Sequence, residues 1–148
     1  MTETNHKKSK NNNFVYAIGR RKEASARIRL YKDIKTGAPF KKGDILINDK
    51  RIEEYFPGEL ASLRYMEPLK TVDALGKFAF TIRVAGGGAS SQMDAVILGI
   101  SRALTKLDEK YRKSLRSKGL LTTDARVRER RKVGTGGKAR RKKQSPKR

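Results

Sequence analysis

The sequence predicts an α+β domain: helices on one face of a mixed sheet, followed by a long basic tail. Three observations predict it. Ala26, Ile28 and Leu30 alternate with Arg27 and Arg29 within Ala24 to Tyr31, the period of two of a half-buried strand. Phe78, Phe80, Ile82 and Val84 share one face of a second such segment, Lys77 to Val84. Met93, Val96, Ile97, Ile100, Leu104 and Leu107 then recur at helical spacing as one apolar stripe. Strands come first and helices later, the order of an α+β fold.

Element by element, Phe14 to Ile18 and Ala24 to Tyr31 read as two strands. Asp33 to Gly43 has turn chemistry and reads as a long loop. Ile45 to Ile47 is a short strand ending at Asn48-Asp49, and Arg51 to Phe56 a helical turn stopped by Pro57-Gly58. Leu60 to Met66 is a short helix closed by Pro68. After the strand at 77–84 and Gly86-Gly87-Gly88, Ser91 as N-cap with Asp94 three residues on matches a capping box. A basic helix, Asp108 to Ser117, ends at Gly119.

The 148 residues carry 37 Lys and Arg against 15 Asp and Glu, a net charge of +22. Such an excess calls for a polyanionic partner, nucleic acid before anionic membrane. Residues 122–148 hold 12 of the cations and two acids, but only Val127 and Val133 as large aliphatic residues, so alone they cannot bury a core. The division is therefore a polar tail over 1–13, a globular body over 14–121 and an extended basic tail over 122–148. With no Cys there is no disulfide, thiolate metal site or cysteine nucleophile, and the lone His6 leaves no histidine-based catalytic centre. No cofactor or metal is expected. The N-terminus lacks the apolar stretch of a signal peptide, and no run reaches the roughly 18 apolar residues of a membrane span, so a cytoplasmic protein is expected. Membrane-surface binding is disfavoured because the basic tail has no apolar face.

Arg20, Arg21 and Lys22 stand between two strands, at a turn, where three cations supported by Arg27 and Arg29 suit phosphate contact. Gly86, Gly87 and Gly88 link a strand to a helix start, where backbone amides can approach a phosphate. A tight turn needing positive φ would use the same residues. Neither this turn nor Gly134 to Lys138 is a nucleotide loop: Ser91 stands where a third glycine is needed, and no Ser or Thr follows Lys138. Glu53 and Glu54 are adjacent and do not face each other on a helix, so they make no acid/base pair. Tyr16, Tyr31, Tyr55, Tyr65 and Tyr111 are scattered, form no tandem stacking platform and are assigned to core or rim packing. The tail places Arg126, Arg128, Arg130, Arg131, Lys132, Lys138, Arg140, Arg141, Lys142, Lys143, Lys147 and Arg148 on a chain that orders as phosphates neutralise it.

Gly19-Arg20-Arg21-Lys22 with Ser25-Ala26-Arg27, Gly86 to Gln92, Gly99 to Leu104, Asp124-Ala125-Arg126 with Glu129 to Lys132, and the closing Lys147-Arg148 occur in order. Together they resemble the bacterial-type family of small ribosomal subunit protein nine. The resemblance implies a mixed four-stranded sheet with two helices on one face, built round a left-handed β-α-β crossover. It implies a non-catalytic protein of the ribosome, bound to the rRNA of the small-subunit head beside neighbouring head proteins. Arg20, Arg21, Lys22, Arg27, Gly86 to Gly88 and Arg102 would form the body's rRNA face, with Arg126 to Lys132 beginning the rRNA-embedded tail. Lys147 and Arg148 would reach the anticodon stem-loop of the P-site tRNA. The family usually ends Gln-Phe-Ser-Lys-Arg; here Gln144-Ser145-Pro146-Lys147-Arg148 lacks the Phe. A basic, nucleoid-type DNA-binding protein is the alternative.

Overall fold

A computed structural model describes residues 14–33 and 40–140. The polar 1–13 segment, residues 34–39 of the expected loop, and Arg141, Lys142, Lys143, Lys147 and Arg148 lie outside the described residues. The fold is α+β, with a five-stranded mixed sheet of order β1-β2-β5-β3-β4 and four helices.

The alternating segment 24–31 becomes the second strand of a hairpin: β1 (Phe14–Arg21) pairs antiparallel with β2 (Ala24–Tyr31). Arg20 and Arg21 thus lie in β1 itself, and the turn is only Lys22-Glu23, with Lys22 at φ 51°. On the other side of β2 lies β5 (Ala79–Ala85), antiparallel to it, and β3 (Ile45–Ile47) runs parallel to β5. The fifth strand, beyond the four expected, is the two-residue β4 (Lys50–Arg51), folded back on β3. Asn48 and Asp49 make that reversal at φ 48° and 68°, the positive pair that a tight hairpin turn requires. Asn48 also prolongs the sheet, its amide donating to the Val84 carbonyl at 3.1 Å and accepting from the Val84 N–H at 3.0 Å.

The helices are α1 (Ile52–Tyr55), α2 (Glu59–Thr71), α3 (Ala89–Leu107) and α4 (Tyr111–Ser117), four rather than two. α2 does not stop before Pro68 but runs through it. An interior proline costs roughly 3 kcal/mol. Burial of Tyr65, Pro68 and Leu69 offsets it. α3 is capped by the extended Gly88, not by Ser91, which falls in the first helical turn. Gly86 and Gly87, at φ 76° and 63°, swing the chain into the helix earlier than a Ser91 cap would allow. α4 begins at Tyr111 because Asp108 is extended and closes α3.

α3 lies across β1 and β2, while α2 and α4 pack on α3. The core between helix and sheet includes Ile28, Leu30, Phe80, Ile82, Val96, Ile100 and Leu104. Each such side chain contributes about 1.5–3 kcal/mol by leaving water. Helix and sheet meet at backbone distance: a Cβ on Gly19 would overlap the Ala95 carbonyl, and one on Gly99 would overlap the Ile28 side chain. The free edge of β1 is closed by α3, where Arg102 donates to the Ile18 carbonyl and Lys106 to the Tyr16 carbonyl, each at 2.9 Å.

Candidate nucleic-acid interface

Alternation along β1 turns Arg21 toward the helix side, where its side chain is only 16% exposed. One Nη donates to the Arg126 carbonyl at 2.8 Å, the other lies 3.2 Å from an Asp124 carboxylate oxygen, and Nε lies 3.6 Å from Asp94. Asp94 also accepts from Arg64 at 2.7 Å. Arg126 folds back to donate from Nε, Nη and its backbone N–H to Asp124. Those hydrogen bonds, the Arg126 side chain first, together with the charges of Arg126 and Arg21, hold the Asp124 carboxyl far below the usual carboxylate range and raise the Arg126 guanidinium. On the other flank Arg102 donates to Thr123 Oγ1 at 2.6 Å while keeping its bond to Ile18. The start of the tail is therefore clamped to β1 and α3 by two arginines.

Beyond the clamp, residues 122–140 contain no helix or strand. The described tail is not extended throughout. Glu129 and Arg140 form an ion pair that lowers the carboxyl and raises the guanidinium, and the Lys132 N–H donates to the Lys138 carbonyl at 3.2 Å. Gly134, Gly136 and Gly137, at φ 79°, 61° and 74°, reverse the chain between them.

Of the sequence-predicted residues, the fold gathers Arg20, Arg21, Gly86, Gly87 and Arg126 at one end of the sheet. Gly86 and Gly87 abut Glu23 and Ala24 so closely that a Cβ would meet them, so packing accounts for these two glycines, whereas Gly88 is open. Arg20, Arg21 and Arg126 line one groove with Asp94, Thr122 and Asp124. Arg20, Lys22, Arg128, Arg130, Arg131, Lys132 and Lys138 are exposed. Arg21, Arg102, Arg126 and Arg140 are engaged within the chain. Arg27 stands apart, exposed on the helix-free face of the sheet beside Arg29 and Arg83. That face also gathers Phe14 and Phe40 with Tyr16 and Tyr31, two of the tyrosines that looked scattered in the sequence. Of the other tyrosines, Tyr65 is core. The parity of β1 and β2 is the signal that could have united this group; the clamp partners Asp94, Thr123 and Asp124 carried none.

Among the described residues, no group of three or more His, Asp or Glu comes together that could hold a metal ion, and no helix is long and apolar enough to cross a membrane. The sequence matches the family described as ribosomal protein S9/S16 over residues 19–148. The chain belongs to that family. Among relatives, it is 46% identical over 124 residues to small ribosomal subunit protein uS9 of Maridesulfovibrio salexigens, covering 84% of this chain and 89% of that one. The protein of the same name from Thermus thermophilus is 47% identical over 119 residues, 80% and 87% of the two chains. That of Anaeromyxobacter dehalogenans is 44% identical over 120 residues, 81% and 86%. As an S9/S16 protein of the small-subunit type, the chain is a structural constituent of the ribosome and not an enzyme.

Proposed function

We propose that this S9/S16 chain is built into the head of the small subunit through rRNA, beside neighbouring head proteins, and that its C-terminal end reaches the P-site tRNA. In this reading residues 14–121 are the docking body, 122–148 the tail that threads rRNA, and 1–13 a separate polar segment. In this reading the connection between the parallel β3 and β5 takes the left-handed sense that the family resemblance implies.

The observation that carries the reading is the clamped tail root. Arg21 and Arg102 fix where the tail leaves the body, and directly beyond it Arg128, Arg130, Arg131 and Lys132 stand exposed. A fixed origin with free cations suits a strand that must enter RNA in one direction while its charge neutralises phosphates. Arg20, Lys22, Arg27 and the open Gly88 add phosphate contacts from the body; Arg21 and Arg102 act chiefly by positioning. Lys147 and Arg148 supply charge to the tRNA backbone without reading sequence.

The test is sedimentation of a gentle lysate on a magnesium-containing gradient. Co-migration with the small subunit through a moderate salt wash is expected. Recovery with the chromosome, or as free protein, would overturn the reading.

A further inference from the structure

We infer that the helix-free face of the sheet is a second RNA site, which takes one unpaired nucleotide by stacking its base on Tyr16 and seating its phosphate between Arg27 and Arg83. The inference deepens the rRNA-binding reading above and rests on it.

The register builds this site from three strands. Arg27 on β2 stands directly opposite Arg83 on β5, and Arg29 stands between Tyr16 on β1 and Thr81 on β5. Like charges directly opposite across a sheet are destabilising unless something neutralises them. Among the described residues neither Arg27 nor Arg83 has a carboxylate within 4.0 Å, whereas Arg21, at the end of β1, has two. Asp49 lines the same groove without pairing to either. Among the described residues the opposed guanidiniums thus lack a counter-charge, and they suit an anion from outside the chain.

The neighbouring surface says which anion. Phe14, Tyr31 and Phe40 form a continuous ring cluster, with centroids 5.7 Å and 4.8 Å apart, and the Arg29 guanidinium sits 5.1 Å from the Phe14 centroid. Tyr16, on the same face, is 41% exposed and offers its ring to solvent. Tyr16 and Arg27 occupy diagonal positions of the β1–β2 register, about 7–8 Å apart. That is a spacing a nucleotide can bridge from base to phosphate. An acidic peptide would use the arginines but leave the ring idle. Duplex RNA would offer phosphates but no free base face, since its bases are already stacked. An unpaired nucleotide uses both, as in other aromatic and cationic sheet surfaces.

The experiment uses the full chain and a short single-stranded RNA carrying 2-aminopurine, whose fluorescence falls when it stacks. The wild-type chain should quench it. Tyr16→Ala should abolish the quenching and weaken binding about tenfold, with Tyr16→Phe restoring both. Arg27→Gln with Arg83→Gln should flatten the log–log salt slope by about 0.7, the share of the one phosphate they seat on a single strand. Both substitutions fall on exposed side chains and provide an independent variant should Tyr16→Ala fold poorly. RNA binding with no quenching, and with affinity and slope unchanged in these variants, would overturn the site while leaving the tail's role intact. An equal loss on duplex RNA would overturn the unpaired-base assignment, and crosslinking of this face to protein instead of rRNA in assembled subunits would overturn the occupant. A full chain with no RNA affinity at all would instead overturn the rRNA-binding reading on which the site rests.

Discussion

Arg21 ends β1 on the helix side of the sheet, whereas Arg83 lies within β5 on the open side. The first is mostly covered and held by Asp94, Asp124 and the Arg126 carbonyl. The second is exposed and faces another arginine across the ladder. Arg21 is part of the fold, and its removal would leave Asp94 with Arg64 and Asp124 with Arg126 but no side chain of β1 to join them to the tail root. Arg83 contributes little to the fold and is available to a ligand. Arginine in a basic protein is thus not one kind of residue: its role follows from whether the chain supplies its counter-charge.

The largest expected effect comes from deleting residues 122–148, because it removes 12 cations and only two acids. If the intact tail neutralises roughly ten phosphates, affinity for RNA falls with salt at a log–log slope of about −7 to −9. The deletion should flatten that slope severely while the body still melts cooperatively. An unchanged slope would move RNA binding onto the body alone.

Next, Arg21→Ala should destabilise the protein by about 1.5–3 kcal/mol, the usual range for hydrogen bonds to charged groups. Arg83→Gln should stay within about 0.5 kcal/mol of wild type, as exposed substitutions do. Denaturant melts of the two variants side by side would show it, and equal losses would erase the distinction between the two arginines. Removing Lys147 and Arg148 should weaken P-site tRNA retention by small subunits several-fold and leave incorporation of the protein into subunits unchanged. Filter binding of tRNA to reconstituted subunits reads both.

The smallest effect is a pH dependence. Asp124 has its carboxyl held below its unfolded value, so its contribution is fully present above the unfolded pKa near 4 and is lost only as pH falls through the lower folded value. The tail root should therefore stay docked at pH values where ordinary carboxylates are already protonating. Backbone relaxation of Thr123 to Arg126 measured between neutral pH and pH 3 would follow it. Release of the root near pH 4 to 5 would show that Asp124 is not held by Arg126 and Arg21.

Much of the body was legible because its signals are local. The alternation at 24–31, the apolar face at 77–84 and the stripe from Met93 to Leu107 each fit within one element and became β2, β5 and α3. The misreadings arose where tertiary burial overrode a local rule. Pro68 did not end α2, because its neighbours Tyr65 and Leu69 are core. Ser91 did not cap α3, because Gly86 and Gly87 had already turned the chain. The clamp was hidden for a different reason: Arg21 and Arg126 are separated by 105 positions, and only the fold brings them together. The open-face cluster was half visible, since strand parity assigns Arg27 and Arg29 to one side, but the register with Arg83 was needed to oppose two of its charges.

The backbone contact of Gly19 with Ala95, and of Gly99 with Gly19 and Ile28, lies beside both clamping arginines: Arg21 is two residues past Gly19, and Arg102 three past Gly99. The root of the tail is thus mounted where helix and sheet meet at backbone distance. The 24 residues from Ala125 to Arg148, opened out, reach at most about 80 Å. A methyl group at Gly19 would therefore be felt twice, once as lost stability and again as a displaced origin for the tail, because the joint it would pry apart carries both arginines that hold the root.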